Sequence, residues 1–124
     1  MEDTYKNFGE FLQKKREEKK ITLRKMAEKL GFSAPFLSDV EKDRRNPPDI
    51  DKLELIANVL DLNEEEKAEM MNLAGQKRNS VAPDLPDYIM GRDYVSSALR
   101  TARDLDADET DWLAFVEELK KRKG

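Results

Sequence analysis

The sequence predicts an all-α protein, on three observations. Strong helix formers (Leu, Ala, Glu, Lys, Met, Arg) dominate the 124 residues, and runs of β-branched residues are absent. Apolar residues recur at three- and four-residue steps, the period of a helix with one buried face. Ser, Thr, Asp or Asn stands just ahead of most of these periodic segments, where a helix start needs a side-chain acceptor. The expected architecture is five helices in residues 1–78, a linker over 79–92, and two further helices in 93–124.

The first helix is expected from about Asp3 to Lys19, with Tyr5, Phe8, Phe11 and Leu12 forming its apolar stripe. Ile21 turns inward. Thr22 caps a second helix, Leu23 to Leu30, whose inner positions are Leu23, Met26, Ala27 and Leu30. Gly31 supplies the backbone freedom that a tight exit from that helix requires. Ser33 caps a third helix ending near Lys42. Pro35 lies in its first turn, where a missing N–H costs nothing, and its apolar residues are Phe36, Leu37 and Val40. Asp43 to Pro48 is a loop stopped by two prolines. Asp49 caps a fourth helix carrying Ile50, Leu53, Ile56, Ala57, Val59 and Leu60. Asn63 caps a fifth, reaching about Gln76, with Ala68, Met71 and Leu73 apolar. Arg78 to Pro86 contains two prolines and no periodicity, which marks the linker. Beyond it, one helix is expected at about Asp93 to Leu105. Another is expected at about Glu109 to Lys121, capped by Asp108 or Thr110.

Composition excludes much of chemistry. Cysteine and histidine are both absent. Disulfides, thiolate or imidazole metal sites, and nucleophilic catalysis through a Cys–His or Ser–His pair are therefore ruled out. The acidic residues lack the Asp-x-Asp-x-Asp-Gly spacing of a calcium loop and read as solvated helix faces. No catalytic residue, metal site or cofactor is expected. No apolar stretch approaches the roughly 20 residues that span a bilayer, and the N-terminus lacks a secretory pattern. A cytoplasmic protein without membrane contact is the expectation.

The net charge of −4 conceals an asymmetry. From Lys14 to Arg45 there are 11 Lys and Arg against 6 Asp and Glu; from Asp49 to Glu69 there are 2 against 8. Salt screens charge beyond roughly 8–10 Å, so a polyanion responds to the local basic field rather than to the total.

The segment Thr22 to Lys42, TLRKMAEKLGFSAPFLSDVEK, carries the strongest motif. Counting from Leu23, the fifth position is Ala27, small enough for two helices to cross. The ninth is Gly31, in the turn. The fifteenth and eighteenth are Leu37 and Val40, which anchor the following helix to the core. With a helix before and two after, this spacing resembles the helix-turn-helix of the lambda-repressor and Cro-like (XRE) family over about Phe8 to Gln76. The resemblance implies a five-helix domain that inserts the helix at about 33–42 into the major groove of double-stranded DNA. It also implies an ion pair between Arg16 in the first helix and Glu41 at the end of the third; the alternative is two surface charges.

On that reading Ala34, Pro35, Phe36, Ser38 and Asp39 face the bases. The first three offer apolar contact, Ser38 donates or accepts, and Asp39 can accept from cytosine N4. Phe36 has a second reading, as a lid on the core. Arg24, Lys25, Ser33, Lys42, Arg44, Arg45 and Asn46 are the expected phosphate contacts. The family's usual glutamine at the first motif position is here Leu23, and Arg24 and Lys25 are the adjacent replacements. Lys14, Lys15, Lys19 and Lys20 read as solubilising charges. In the tail, Trp112, Phe115, Val116 and Leu119 form an apolar pattern. It either joins a homodimer, docks a protein partner, or packs against the chain's own helices. The resemblance implies a transcriptional regulator, a repressor acting as a dimer at the bacterial nucleoid. An antitoxin or partner-binding module is the other function the same fold serves.

Overall fold

The computed structural model describes residues 4–124, and all regular structure among them is helical. The chain divides into two compact units, one extending to Pro86 and the other from Asp87 to Gly124. The first holds α1 (Phe8–Glu18), α2 (Leu23–Leu30), α3 (Ala34–Glu41), α4 (Ile50–Val59) and α5 (Glu64–Lys77). The second holds α6 (Pro86–Ile89), which begins at the division, with α7 (Asp93–Asp104) and α8 (Glu109–Lys123).

All five main helices of the first unit start on a side-chain cap. Asn7 accepts from the Glu10 N–H at 2.9 Å, Thr22 from Lys25 at 3.1 Å and Ser33 from Phe36 at 3.2 Å. Asp49 accepts from Lys52 at 3.2 Å, and Asn63 from Glu66 at 2.8 Å, with the Glu66 carboxylate returning to the Asn63 N–H at 2.9 Å. Caps of this kind are worth about 1 kcal/mol each and fix where each helix begins.

The start of α1 differs from expectation. It begins at Phe8, because Asn7 takes an extended backbone and caps it. Asp3 lies outside the described residues. Tyr5 continues the helical spacing of the stripe yet lies outside the helix. It is buried all the same, edge-on to Phe11 with ring centroids 5.0 Å apart.

The core gathers Phe8, Phe11 and Leu12 from α1, Met26, Ala27 and Leu30 from α2, and Leu37 and Val40 from α3. Leu53, Ile56, Ala57 and Leu60 join from α4 and its end, and Met70, Met71, Leu73 and Ala74 from α5. Ala68, expected on the inner face of α5, is exposed. Within the segment expected as linker, the Ser80 N–H donates to the Gly75 carbonyl at 2.8 Å and Ala82 is buried in this core.

Close contacts place α3 and the helix before it. Gly9 of α1 packs directly on its C-terminal end, where a methyl group would run into the carbonyl oxygens of Val40 and Glu41. Gly31, at φ +74°, closes α2 and turns the chain toward α3. Lys52 of α4 donates to the Leu30 carbonyl at 2.6 Å, satisfying the end of α2.

The second unit is built differently. Asp108 and Asp111 form a reciprocal capping box at the start of α8, but no residue from Asp87 to Gly124 is buried. Trp112 and Phe115 meet edge to face, centroids 6.1 Å apart, while 41% and 52% exposed. Among the described residues no helix is long and apolar enough to cross a membrane.

Candidate nucleic-acid interface

The inner face of α3 is fixed by packing and by one ion pair. Leu37 and Val40 are buried, and Ala27 at the helix crossing is 2% exposed. Arg16 of α1 grips Glu41 with two parallel bonds, Nε to Oε2 at 2.8 Å and Nη2 to Oε1 at 3.0 Å. Its Nη1 donates to the Ile21 carbonyl at 2.8 Å. Both residues are buried, at 9% and 7% exposure. The Glu41 carboxylate holds the Arg16 guanidinium above its ordinary pKa, outweighing the opposing effect of burial. One pair thus ties the end of α3 to α1 and to the turn before α2. The geometry satisfies the buried charges, and its value lies in register rather than in net stability.

The outer face carries the residues expected to read bases. Pro35 is exposed; Ala34, Ser38 and Asp39 are half-buried. Phe36 takes the second of its expected positions, a lid on the core. It packs against the core through Phe32, centroids 4.9 Å apart, and its other side carries the Arg45 guanidinium 4.9 Å from the ring centroid. Asp39 is engaged within the protein: its Oδ1 lies 3.5 Å from Arg44 Nη1 and its Oδ2 3.7 Å from Arg45 Nε.

The expected phosphate contacts surround this face. Arg24 and Lys25 are exposed in the first turn of α2, and Ser33 caps α3. Lys42, Arg44, Arg45 and Asn46 are exposed in and after the last turn of α3. Helix N-termini and arginine-bearing loops suit oxyanions because N–H groups and positive charge converge there.

The loop after α3 is held by residues that sequence reasoning missed. Asp43 takes a left-handed backbone at φ 63°, which swings the chain out of the helix. Lys77 of α5 binds both the Asp43 carbonyl, at 3.2 Å, and its carboxylate, at 3.1 Å. Arg78 donates to the Pro47 carbonyl. The Arg44 N–H closes onto the Asp39 carbonyl at 2.9 Å, which brings both arginines beside the Asp39 side chain. No local signal pairs residues more than 30 positions apart.

Lys15 departs from its expected role as a solubilising charge. It is 8% exposed, and its Nζ donates to Glu66 of α5 at 2.8 Å. Burial works against the Lys15 charge, but the Glu66 carboxylate prevails and raises its pKa. The hydrogen bond from Lys15, joined by the Asn63 N–H, holds Glu66 below the usual carboxylate range.

A family model described as helix-turn-helix matches residues 12–67. No curated protein matches the chain. A solved structure described as a SinR protein/SinI protein complex is similar at 22% identity and a TM-score of 0.47, over 94% of this chain and 97% of that one. The matched segment runs from within α1 into α5 and contains the Ala27, Gly31, Leu37 and Val40 spacing. Residues 12–67 form a helix-turn-helix domain, the type that the lambda-repressor/Cro-like (XRE) spacing of the motif resembles.

Proposed function

We propose that this protein is a sequence-specific transcriptional repressor that binds double-stranded DNA as a homodimer in the bacterial cytoplasm. The observation that carries the reading is the two-sidedness of α3. Leu37, Val40 and Glu41 are locked inward, while Ala34, Pro35 and Ser38 stand outward among exposed Arg24, Lys25, Lys42, Arg44 and Asn46. In the bound state α3 lies in the major groove. Ala34 and Pro35 contact thymine methyl groups, Ser38 bonds a base edge, and the Ser33 helix start sits at a phosphate.

The second unit supplies the dimer contact. Its helices leave Trp112, Leu113, Phe115 and Val116 exposed, with Leu119 half-buried between turns. Two helices with nothing buried cannot offset their own ordering entropy. A second copy provides the missing surface and places two α3 helices one DNA turn, about 34 Å, apart. Aromatic anchors such as Trp112 and Phe115 then contribute on the order of 2 kcal/mol each to the interface.

The test combines binding-site selection with sedimentation of the full chain and of a chain ending at Pro86. The expected result is a two-fold symmetric site with half-sites about one turn apart. The full chain is expected to be a dimer at micromolar concentration and the shortened chain a monomer. A monomeric full chain, or a shortened chain that dimerises equally well, would reassign the tail to docking a different protein.

A further inference from the structure

Arg44 and Arg45 follow one another in the loop after α3, yet their surroundings differ. Both face the Asp39 carboxylate, at 3.5 Å and 3.7 Å. Arg44 approaches it through a terminal nitrogen, Nη1, and keeps 66% of its side chain exposed. Arg45 approaches from the side, through Nε, and its guanidinium lies over the Phe36 ring at 4.9 Å. Phe36 is held in turn by Phe32.

Both arginines share the Asp39 carboxylate, so the Phe36 ring is what sets them apart. A phosphate clamp gains nothing from that ring, because a flexible side chain follows the backbone better than a stacked one. A base-reading arginine has the opposite needs. It must present its two terminal N–H groups in a fixed plane to the O6 and N7 acceptors of a guanine, and a neutral base edge is not repelled by the carboxylate. Pairing through Nε leaves the Nη1–Nη2 edge for that contact. The Phe36 ring and the Asp39 carboxylate bracket the guanidinium, so less side-chain entropy is lost on binding a base than for an arginine without these contacts.

We infer that Arg45 reads a guanine in the major groove, with Asp39 and Phe36 as its positioning residues, while Arg44 holds the phosphate backbone. This rests on the DNA-binding reading above. It moves Arg45 from the expected phosphate contacts to the base readers, and it gives Asp39 a role through its arginine partner rather than on cytosine.

The experiment is a binding-site selection with the full chain. It is followed by titrations of the selected duplex and of copies in which single guanines are replaced by 7-deazaguanine or by adenine. Wild-type protein discriminates against the change at one guanine per half-site by about 5- to 150-fold. Arg45→Ala loses that discrimination, and so does Arg45→Lys, which keeps the charge but not the planar fork. Asp39→Asn lowers discrimination while raising affinity for unrelated duplexes. Arg44→Ala weakens binding to every duplex by a similar factor and leaves base preference intact. Unchanged melting temperatures of the variants separate these effects from loss of fold. The inference is overturned if Arg45→Ala behaves as Arg44→Ala does, weakening all duplexes alike. Wild-type protein that selects no site at all would instead remove the DNA-binding reading, and this inference with it.

Discussion

The two units use the same helical vocabulary for different ends. In the first, five capped helices close over aromatic and aliphatic side chains from every element, and two ion pairs, Arg16–Glu41 and Lys15–Glu66, join α1 to α3 and α5. In the second, α8 is as well capped as any helix of the first, yet no side chain is buried and the large apolar residues face outward. The difference shows that capping and propensity specify a helix, whereas burial decides whether the helix belongs to a self-sufficient fold. On the proposed reading, a segment rich in both but lacking a core meets the surface of a second copy.

Core truncation gives the sharpest contrast. Phe11→Ala, at a fully buried site, is expected to cost about 3–5 kcal/mol in denaturant unfolding. Leu113→Ala, at an exposed site, is expected to change the stability of the monomer by no more than about 0.5 kcal/mol. Similar values for the two would erase the distinction between the units.

Next is the buried pair. Glu41→Ala leaves the Arg16 guanidinium without its carboxylate in the core and is expected to cost about 3 kcal/mol or more. The double change Arg16→Met with Glu41→Leu should recover most of that loss, because an apolar pair of similar volume replaces a buried ion pair at little net cost. Failure to recover would assign Arg16 an independent role through its bond to the Ile21 carbonyl.

Removing a cap has a smaller and more local effect. Ser33→Ala is expected to cost about 1 kcal/mol of global stability, since α3 is part of the cooperative unit. Asp108→Ala should lower the helicity of the second unit without moving the unfolding midpoint of the first. Circular dichroism and near-ultraviolet melts separate the two effects.

The smallest effect is pH-dependent. The pKa of Glu66 is depressed in the folded state, chiefly by its bond from Lys15. Its contribution is therefore present above the unfolded carboxylate value of about 4.3 and is lost as pH falls through the lower folded value. Thermal melts through this range should show a loss of stability in the wild type that Glu66→Gln partly removes.

Much of the first unit is legible from sequence because its signals are local. Thr22, Ser33, Asp49 and Asn63 each cap the helix expected of them, and the 3.6-residue spacing identifies Leu37 and Val40 as inward. What escapes is set by distance along the chain. Tyr5 keeps the spacing of α1 while lying before it, so periodicity overextends the helix. Lys15 looks like any other lysine of a charged run until Glu66, 51 residues away, comes beside it. The Asp39–Arg45–Phe36 cluster and the Lys77 anchor of its loop depend on the left-handed turn at Asp43, which no residue pattern announces. The short helix α6 lies in a proline-bearing stretch without periodicity.

The central claim is that the outer face of α3 and its flanking loop grip duplex DNA largely through phosphates. Its most direct test is the affinity for one duplex measured across a range of salt concentrations, for wild-type protein and Arg44→Ala. With about five phosphates neutralised per subunit, log affinity should fall against log salt with a slope of roughly −4 to −5 per subunit, and Arg44→Ala should reduce that slope by about one. Binding that is indifferent to salt, or a slope unchanged by the substitution, would contradict the account.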